Sequence, residues 1–201
     1  MALKVTWDRE VWLYLPLKFP YGPYPDENSW IATIVGAYRR ARWNRKQRQW
    51  LEEYLRGLRA NNRVGAHRFA YFTDPLRILL ALDVYEGPHD PHTTLHDITG
   101  SDGVDTDARP PVVVDVVAQG LGPGTRVERA LTVPITTHER IGTGDGPTEV
   151  ITMVFWVFRS EAADVVITAT KSDPAVLASA LPDVERLIDG ITVDAGDGEP
   201  A

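Results

Sequence analysis

Val150-Ile151-Thr152-Met153-Val154-Phe155-Trp156-Val157-Phe158 is an almost unbroken run of apolar and β-branched residues, and together with the segment C-terminal to it this run decides the fold. Such a run reads as a strand. Glu161-Ala162-Ala163-Asp164 reads as a turn and Val165 to Thr170 as a second strand. Asp173–Pro174 then opens a helical segment, since proline suits the first helical position. Val176, Leu177, Ala180 and Leu181 form one apolar face. Pro182 interrupts it, and Val184, Leu187 and Ile188 form another after a restart. Gly190 fits a C-terminal cap and Ile191-Thr192-Val193 a closing strand. Hairpin, helix and strand in that order describe a sheet with a helix packed across it.

Toward the N terminus, Val112 to Ala118 and Thr125 to Pro134 read as strands joined by the glycine-rich turn Gly120 to Gly124. Ile141 to Pro147 reads as a loop. His67 to Thr73 and Arg77 to Tyr85 read as strands joined at Asp74–Pro75, and Gly87 to Pro111 as a long polar connection pinned by Leu95 and Ile98. Glu10 to Lys18 alternates as a strand with apolar residues on both faces. The prolines between Phe19 and Pro25 exclude helix and ladder alike. Asp26 to Ala60 has two apolar stripes at helical spacing, one through Trp30, Ile31, Ile34, Val35 and Tyr38, the other through Trp50, Leu51, Tyr54, Leu55 and Leu58. Asn44 with Gln47 resembles a capping box, which predicts two consecutive helices broken near Trp43–Asn44.

The chain has 201 residues, 43% hydrophobic and 24% charged, long enough to bury a core without staples. It has no cysteine, which excludes disulfides, thiolate nucleophiles and cysteine-ligated zinc. No run approaches the roughly 20 apolar residues of a membrane span, and residues 1–8 do not read as a signal peptide. The expectation is a cytoplasmic protein without membrane contact. Net charge is −7, yet nine basic residues and two acidic ones lie between Ala37 and Arg63, which places a basic helical surface on an acidic body.

The order of elements resembles the PsbP-like α/β/α sandwich, in particular its small, mostly uncharacterised actinobacterial members. A strand ends in Leu15–Pro16, and a helix and antiparallel strands come next. One strand begins with a Gly-Pro-Gly-x-Arg turn (Gly122, Pro123, Gly124, Arg126), and the chain closes on a Gly-Ile-Thr-Val strand from Gly190 to Val193. The resemblance implies binding or assembly rather than catalysis. The Arg-rich tandem helix is longer than that family leads one to expect. The fold expectation is one α/β domain of the α+β type over residues 1–193, followed by a short acidic polar tail, 194–201. An antiparallel sheet carries the tandem helix on one face and the C-terminal helix on the same or the opposite face.

The residues support three functional expectations. The first is a non-enzymatic binding or assembly module acting through a protein partner or self-association. Its contacts would come from the aromatic segment (Trp12, Tyr14, Phe19, Tyr21, Tyr24) and the arginines Arg39, Arg42 and Arg45. The second is a metal-dependent enzyme or metal-binding protein. If Asp90 caps a short helix with Pro91 at its first position, His92 and His96 share a face beside His89, and imidazoles with an aspartate suit zinc or nickel. The competing reading is a polar surface turn. The third is a nucleic-acid binder using the Arg39–Arg48 face with Trp43 and Trp50 for stacking, disfavoured by the acidic balance. No catalytic motif occurs. The glycine series lack a following helix N-terminus and a P-loop lysine, and Gly100-Ser101-Asp102-Gly103 is no nucleophile elbow. No cofactor is expected.

Overall fold

The computed structural model describes residues 2–38, 44–61, 63–72, 80–100, 107–134, 148–171 and 173–194. In chain order the elements are β1 (Ala2–Val5), β2 (Trp12–Leu15), α1 (Glu27–Tyr38), α2 (Arg45–Ala60), β3 (Ala66–Tyr71), β4 (Leu80–Pro88), α3 (Leu95–Thr99), β5 (Asp107–Ala118), β6 (Gly122–Pro134), β7 (Thr148–Arg159), β8 (Ala163–Lys171), α4 (Pro174–Asp189) and β9 (Ile191–Asp194). Seven strands form one antiparallel sheet in the order β2-β3-β4-β8-β7-β6-β5. The class is mixed α+β.

The pleat divides the apolar residues between two layers. On the upper face Trp12, Phe69, Tyr71, Leu82, Trp156 and Ile167 pack under α4, which contributes Leu177, Ala180, Val184, Leu187 and Ile188. On the lower face Leu15, Ala70 and Phe72 meet Trp30, Ile31, Val35, Leu51 and Leu55 of α1 and α2. Further along the lower face, Leu95 and Ile98 of α3 cover Val127, Phe155 and Val157. The tandem helix and the C-terminal helix therefore lie on opposite faces.

Asn44 caps α2 as its spacing predicts. Its side chain accepts from the Gln47 backbone N–H while the Gln47 side chain accepts from the Asn44 N–H. The residues that would show the break itself, 39–43, lie outside the described residues, as do the Asp74–Pro75 junction, the 141–147 loop and the tail beyond Asp194.

Two expectations are corrected. Pro182 does not end a helix, because α4 runs from Pro174 to Asp189 through it. Pro182 lies on the exposed side of α4, where water can satisfy the carbonyl that its missing N–H leaves unpaired. The closing strand does not join the main sheet. β9 pairs with β1 in a separate antiparallel ribbon, Val5 opposite Ile191 and Ala2 opposite Asp194. That ribbon packs Leu3, Val5 and Val193 onto the upper-face core beside α4.

Candidate interface

Among the described residues, strand β5 is the last in the sheet and pairs only with β6. Its Val112–Val117 run has the β-branched content of a buried strand, yet Val112, Val113, Val114 and Val117 are all exposed, Val113 at 57% and Val117 at 80%. Alternation explains part of this. Val114 lies opposite Arg126, on the upper face, while Val113 lies opposite Val127, on the lower. Val116 and Ala118 reach the upper-face core. The α3 cover reaches Val127, Phe155 and Val157, while Val113 and Val117 on the same face stay exposed. A bulge between Arg109 and Val112, at Pro110–Pro111, re-aims the start of the strand.

The Gly-Pro-Gly-x-Arg motif at the start of β6 sets this edge. Gly122 has φ +77°, a conformation that favours glycine. Gly124 has no room for a side chain, because a Cβ there would run into the Phe158 ring. Arg126, the last residue of the motif, reaches toward α4, its Nη1 lying 3.8 Å from Glu185 Oε1.

Between β5 and α4 lies a cavity of about 290 Å³, walled by Val116, Ala118, Trp156, Phe158 and Ile188, with Glu185 and Asp189 among its lining. A second hollow of about 200 Å³ continues along α4 past Arg126, over Val154 and Leu177. The Trp156 indole N–H is buried and has no acceptor among the described residues. Asp189 accepts a hydrogen bond from the Gln119 N–H at 3.0 Å.

The residues singled out from the sequence lie elsewhere. Trp12 is 3% exposed and packs on Tyr71 with ring centroids 5.0 Å apart, so it is core and offers no surface to a partner. The ribbon and α4 provide the cover that a strand apolar on both faces requires. Tyr14 and Tyr21 are half-buried in an aromatic stair, Trp7 to Tyr14 at 5.8 Å and Tyr14 to Tyr21 at 5.4 Å. Burial, and then the neighbouring Tyr21, push the Tyr14 phenol above its ordinary value. Phe19 and Tyr24 pack on the α1–α2 core, with the Arg59 guanidinium 4.6 Å above the Phe19 ring.

Arg39 and Arg42 lie outside the described residues. Arg45 is exposed at the start of α2. The basic surface is diluted along that helix. Arg56 and Arg59 lie near Glu27 of α1, at 3.9 and 3.6 Å, and Glu52 and Glu53 share the depression lined by Arg45, Arg48 and Arg56.

The histidines do not assemble as the metal hypothesis requires. Helix α3 begins at Leu95 with Thr94 as its cap, in a reciprocal box with Asp97. Asp90 instead caps a turn, accepting from the His92 N–H and the Thr93 hydroxyl. His92 thus precedes the helix that carries His96. His89 Nδ1 is 2.8 Å from Asp164 Oδ1. Among the described residues, no three His, Cys, Asp or Glu side chains come together as a metal would need.

What this loop does have is a latch. Arg159 donates to Asp164 through Nε and Nη2, and to the backbone carbonyls of Thr93 and Asp90 at 2.7 and 2.5 Å. Burial alone would raise the Asp164 carboxyl, but hydrogen bonds from Arg159 and His89 outweigh it and hold it below the ordinary 3.8. A carboxylate lowered on folding adds stability above its ordinary value, and that stability is lost as pH falls through the folded value. Asp164→Asn is therefore expected to be less stable than the wild type at neutral pH in urea unfolding. The gap should narrow as pH falls below about 4. A gap independent of pH would mean that the carboxylate charge is not what closes the latch.

No protein-family model matches this chain, and neither does any curated protein. No helix among the described residues is long and apolar enough to cross a membrane.

Proposed function

We propose that this protein is a non-enzymatic binding module that acts through protein contacts, and that β5 is its contact edge. The observation behind this reading is the exposed valine run on a strand whose outer edge has no partner among the described residues. A free edge presents a row of main-chain donors and acceptors, and proteins usually blunt such edges with charge, proline or a cover. Here Pro110, Pro111 and Asp115 blunt it only in part, and Val112 to Val114 stay open. Exposed apolar surface in continuous array is characteristic of interaction sites. A PsbP-like kinship, itself part of the proposal, accords with a binding role. The arginine surface and the half-buried aromatics of the N-terminal segment are secondary contacts in this reading.

The test is a double substitution, V114K/V117K. Both positions are exposed, so thermal stability should change little, within about 0.5 kcal/mol per site. Capture of the natural partner by the tagged protein, or self-association measured by light scattering, should be lost. Association that survives V114K/V117K undiminished would rule β5 out.

A further inference from the structure

The reading of β5 as the contact edge leaves its occupant unnamed, and the surroundings of that edge select one. We propose that the occupant is an extended segment of another protein. It adds as an eighth strand beside β5, seats an apolar side chain in the cavity beside Trp156, and sets a lysine or arginine against Glu185 and Asp189. This rests on the β5 reading and goes further, in naming the chemistry of the partner.

The geometry of strand addition comes first. A new strand lies about 4.8 Å outside the edge and gains affinity from main-chain pairing, while alternate side chains supply specificity. Every second residue of such a strand faces the upper side, as Val114 and Val116 of β5 do. There the cavity of about 290 Å³ opens between β5 and α4, near the lower end of ordinary ligand-pocket size. Its walls are aromatic and aliphatic. Its Trp156 wall also holds an indole N–H that finds no acceptor among the described residues.

Charge then chooses between a second copy and a different protein. Glu185 and Asp189 are one helical turn apart on α4 and share a face. Glu185 is 58% exposed, and its contact with Arg126 at 3.8 Å is too long for a hydrogen bond. A cationic side chain arriving here finds two carboxylates. A second copy paired through its own β5 would bring no free cation on that strand, since its one arginine, Arg109, already meets Glu128 at 2.6 Å, and its Asp107 already accepts from Arg129 at 3.0 Å. Its Pro110 and Pro111 would also offer no N–H to the new ladder. A second copy would thus leave Glu185 and Asp189 without a cationic partner, which disfavours self-pairing. A basic extended segment is complementary in both charge and shape.

The experiment uses the full chain and short fluorescein-labelled synthetic peptides. These alternate serine and valine around a central leucine, with either lysine or glutamate two residues from the leucine, on its face. The lysine peptide should give a saturable rise in fluorescence anisotropy. It should bind about tenfold or more tightly than the glutamate peptide, the size expected of a charge contact at a partly exposed rim. Glu185→Lys should reverse that order, and Glu185→Gln, which leaves Asp189, should weaken it severalfold if the charge-reversed chain does not fold. V114K/V117K should abolish binding of both peptides.

Equal binding of the two peptides, or binding of neither up to millimolar concentration, overturns the inference. A dimer that dissociates in V114K/V117K installs a second copy as the occupant and also overturns it, while leaving the β5 edge as the interface. Peptide failure together with loss of natural-partner capture in V114K/V117K removes the peptide and keeps the edge. Natural-partner capture insensitive to V114K/V117K removes both.

Discussion

Asp83→Ala is expected to lower the stability of this protein by about 3–5 kcal/mol, the usual cost of removing one partner from a buried ion pair. Arg68 and Asp83 sit directly opposite one another in the β3–β4 ladder. They are 7% and 8% exposed. The guanidinium donates through Nε and Nη2 to the two carboxylate oxygens at 2.6 and 2.7 Å. Its remaining nitrogen donates to the carbonyls of Leu58 and Asn61, at 3.2 and 2.8 Å. Those carbonyls lie at the C-terminal end of α2, where a helix has no intrahelical donors left. One side chain thus balances a buried charge and ties the second helix to the sheet. The bond to Asp83 raises the arginine pKa further, against the effect of burial. Arginine cannot shed its proton, so without Asp83 a charge stays buried.

The comparison that isolates this cause is the double substitution R68L/D83L, which removes both charges and fills the space with apolar atoms. It should cost clearly less than Asp83→Ala, because the penalty comes from the unpaired charge more than from the lost attraction. Urea unfolding of the three chains decides it. With a total stability of about 5–15 kcal/mol expected for a domain of ordinary size, Asp83→Ala should be obvious. A loss under about 1 kcal/mol would show that water reaches the guanidinium and that the pair is not buried in solution.

How far the fold was legible depended on whether a signal was local. The capping box at Asn44 and Gln47 is complete within four residues, and it located the start of α2 correctly. The β7–β8 hairpin was legible because its apolar run is bounded by a compact turn. Strand β1 was missed. Ala2–Val5 is only four residues long, and its partner β9 lies at the other end of the chain. The start of the helix in the His89–His96 loop was misplaced. Asp90 with Pro91 is a plausible start, but Thr94 with Asp97 forms the reciprocal box that stands before the helix. The position of β5 at the sheet edge was not legible, since strand order is set by pairings across the chain. Six consecutive residues containing five valines, Val112 to Val117, read as core when order is unknown. The proposed contact edge is therefore what sequence periodicity is least able to mark. Arg68 was hidden for the same reason, since its partner is named only by the register of β3 on β4.

Gly190 shows a correct reading reached for an incomplete reason, and it carries the last prediction. Glycine after a helix usually serves a left-handed conformation. Here φ is −82° and ψ 1°, which any residue adopts. The requirement is space. A Cβ on Gly190 would collide with the Thr6 carbonyl oxygen, and that atom is backbone and cannot rotate away. The approach is close because Thr6 N–H donates to the Gly190 carbonyl at 2.8 Å, where the β1–β9 ribbon meets the end of α4. Gly190→Ala must push the ribbon off the upper-face core, where it holds Leu3, Val5 and Val193. The expected loss is about 2–3 kcal/mol, the usual range for a side chain forced into filled space. In a chain of this size that lowers the melting temperature by about 5–10 °C. Gly57 supplies the control. It lies inside α2, where a Cβ would meet nothing within 4 Å. Gly57→Ala should therefore stabilise, by about 0.4–1 kcal/mol, through the entropy removed from the unfolded chain. The same methyl group should thus act with opposite sign at the two sites. Matching shifts of either sign in a calorimetric melt would show that the ribbon yields freely, and that the contact at Thr6 does not hold it to the sheet.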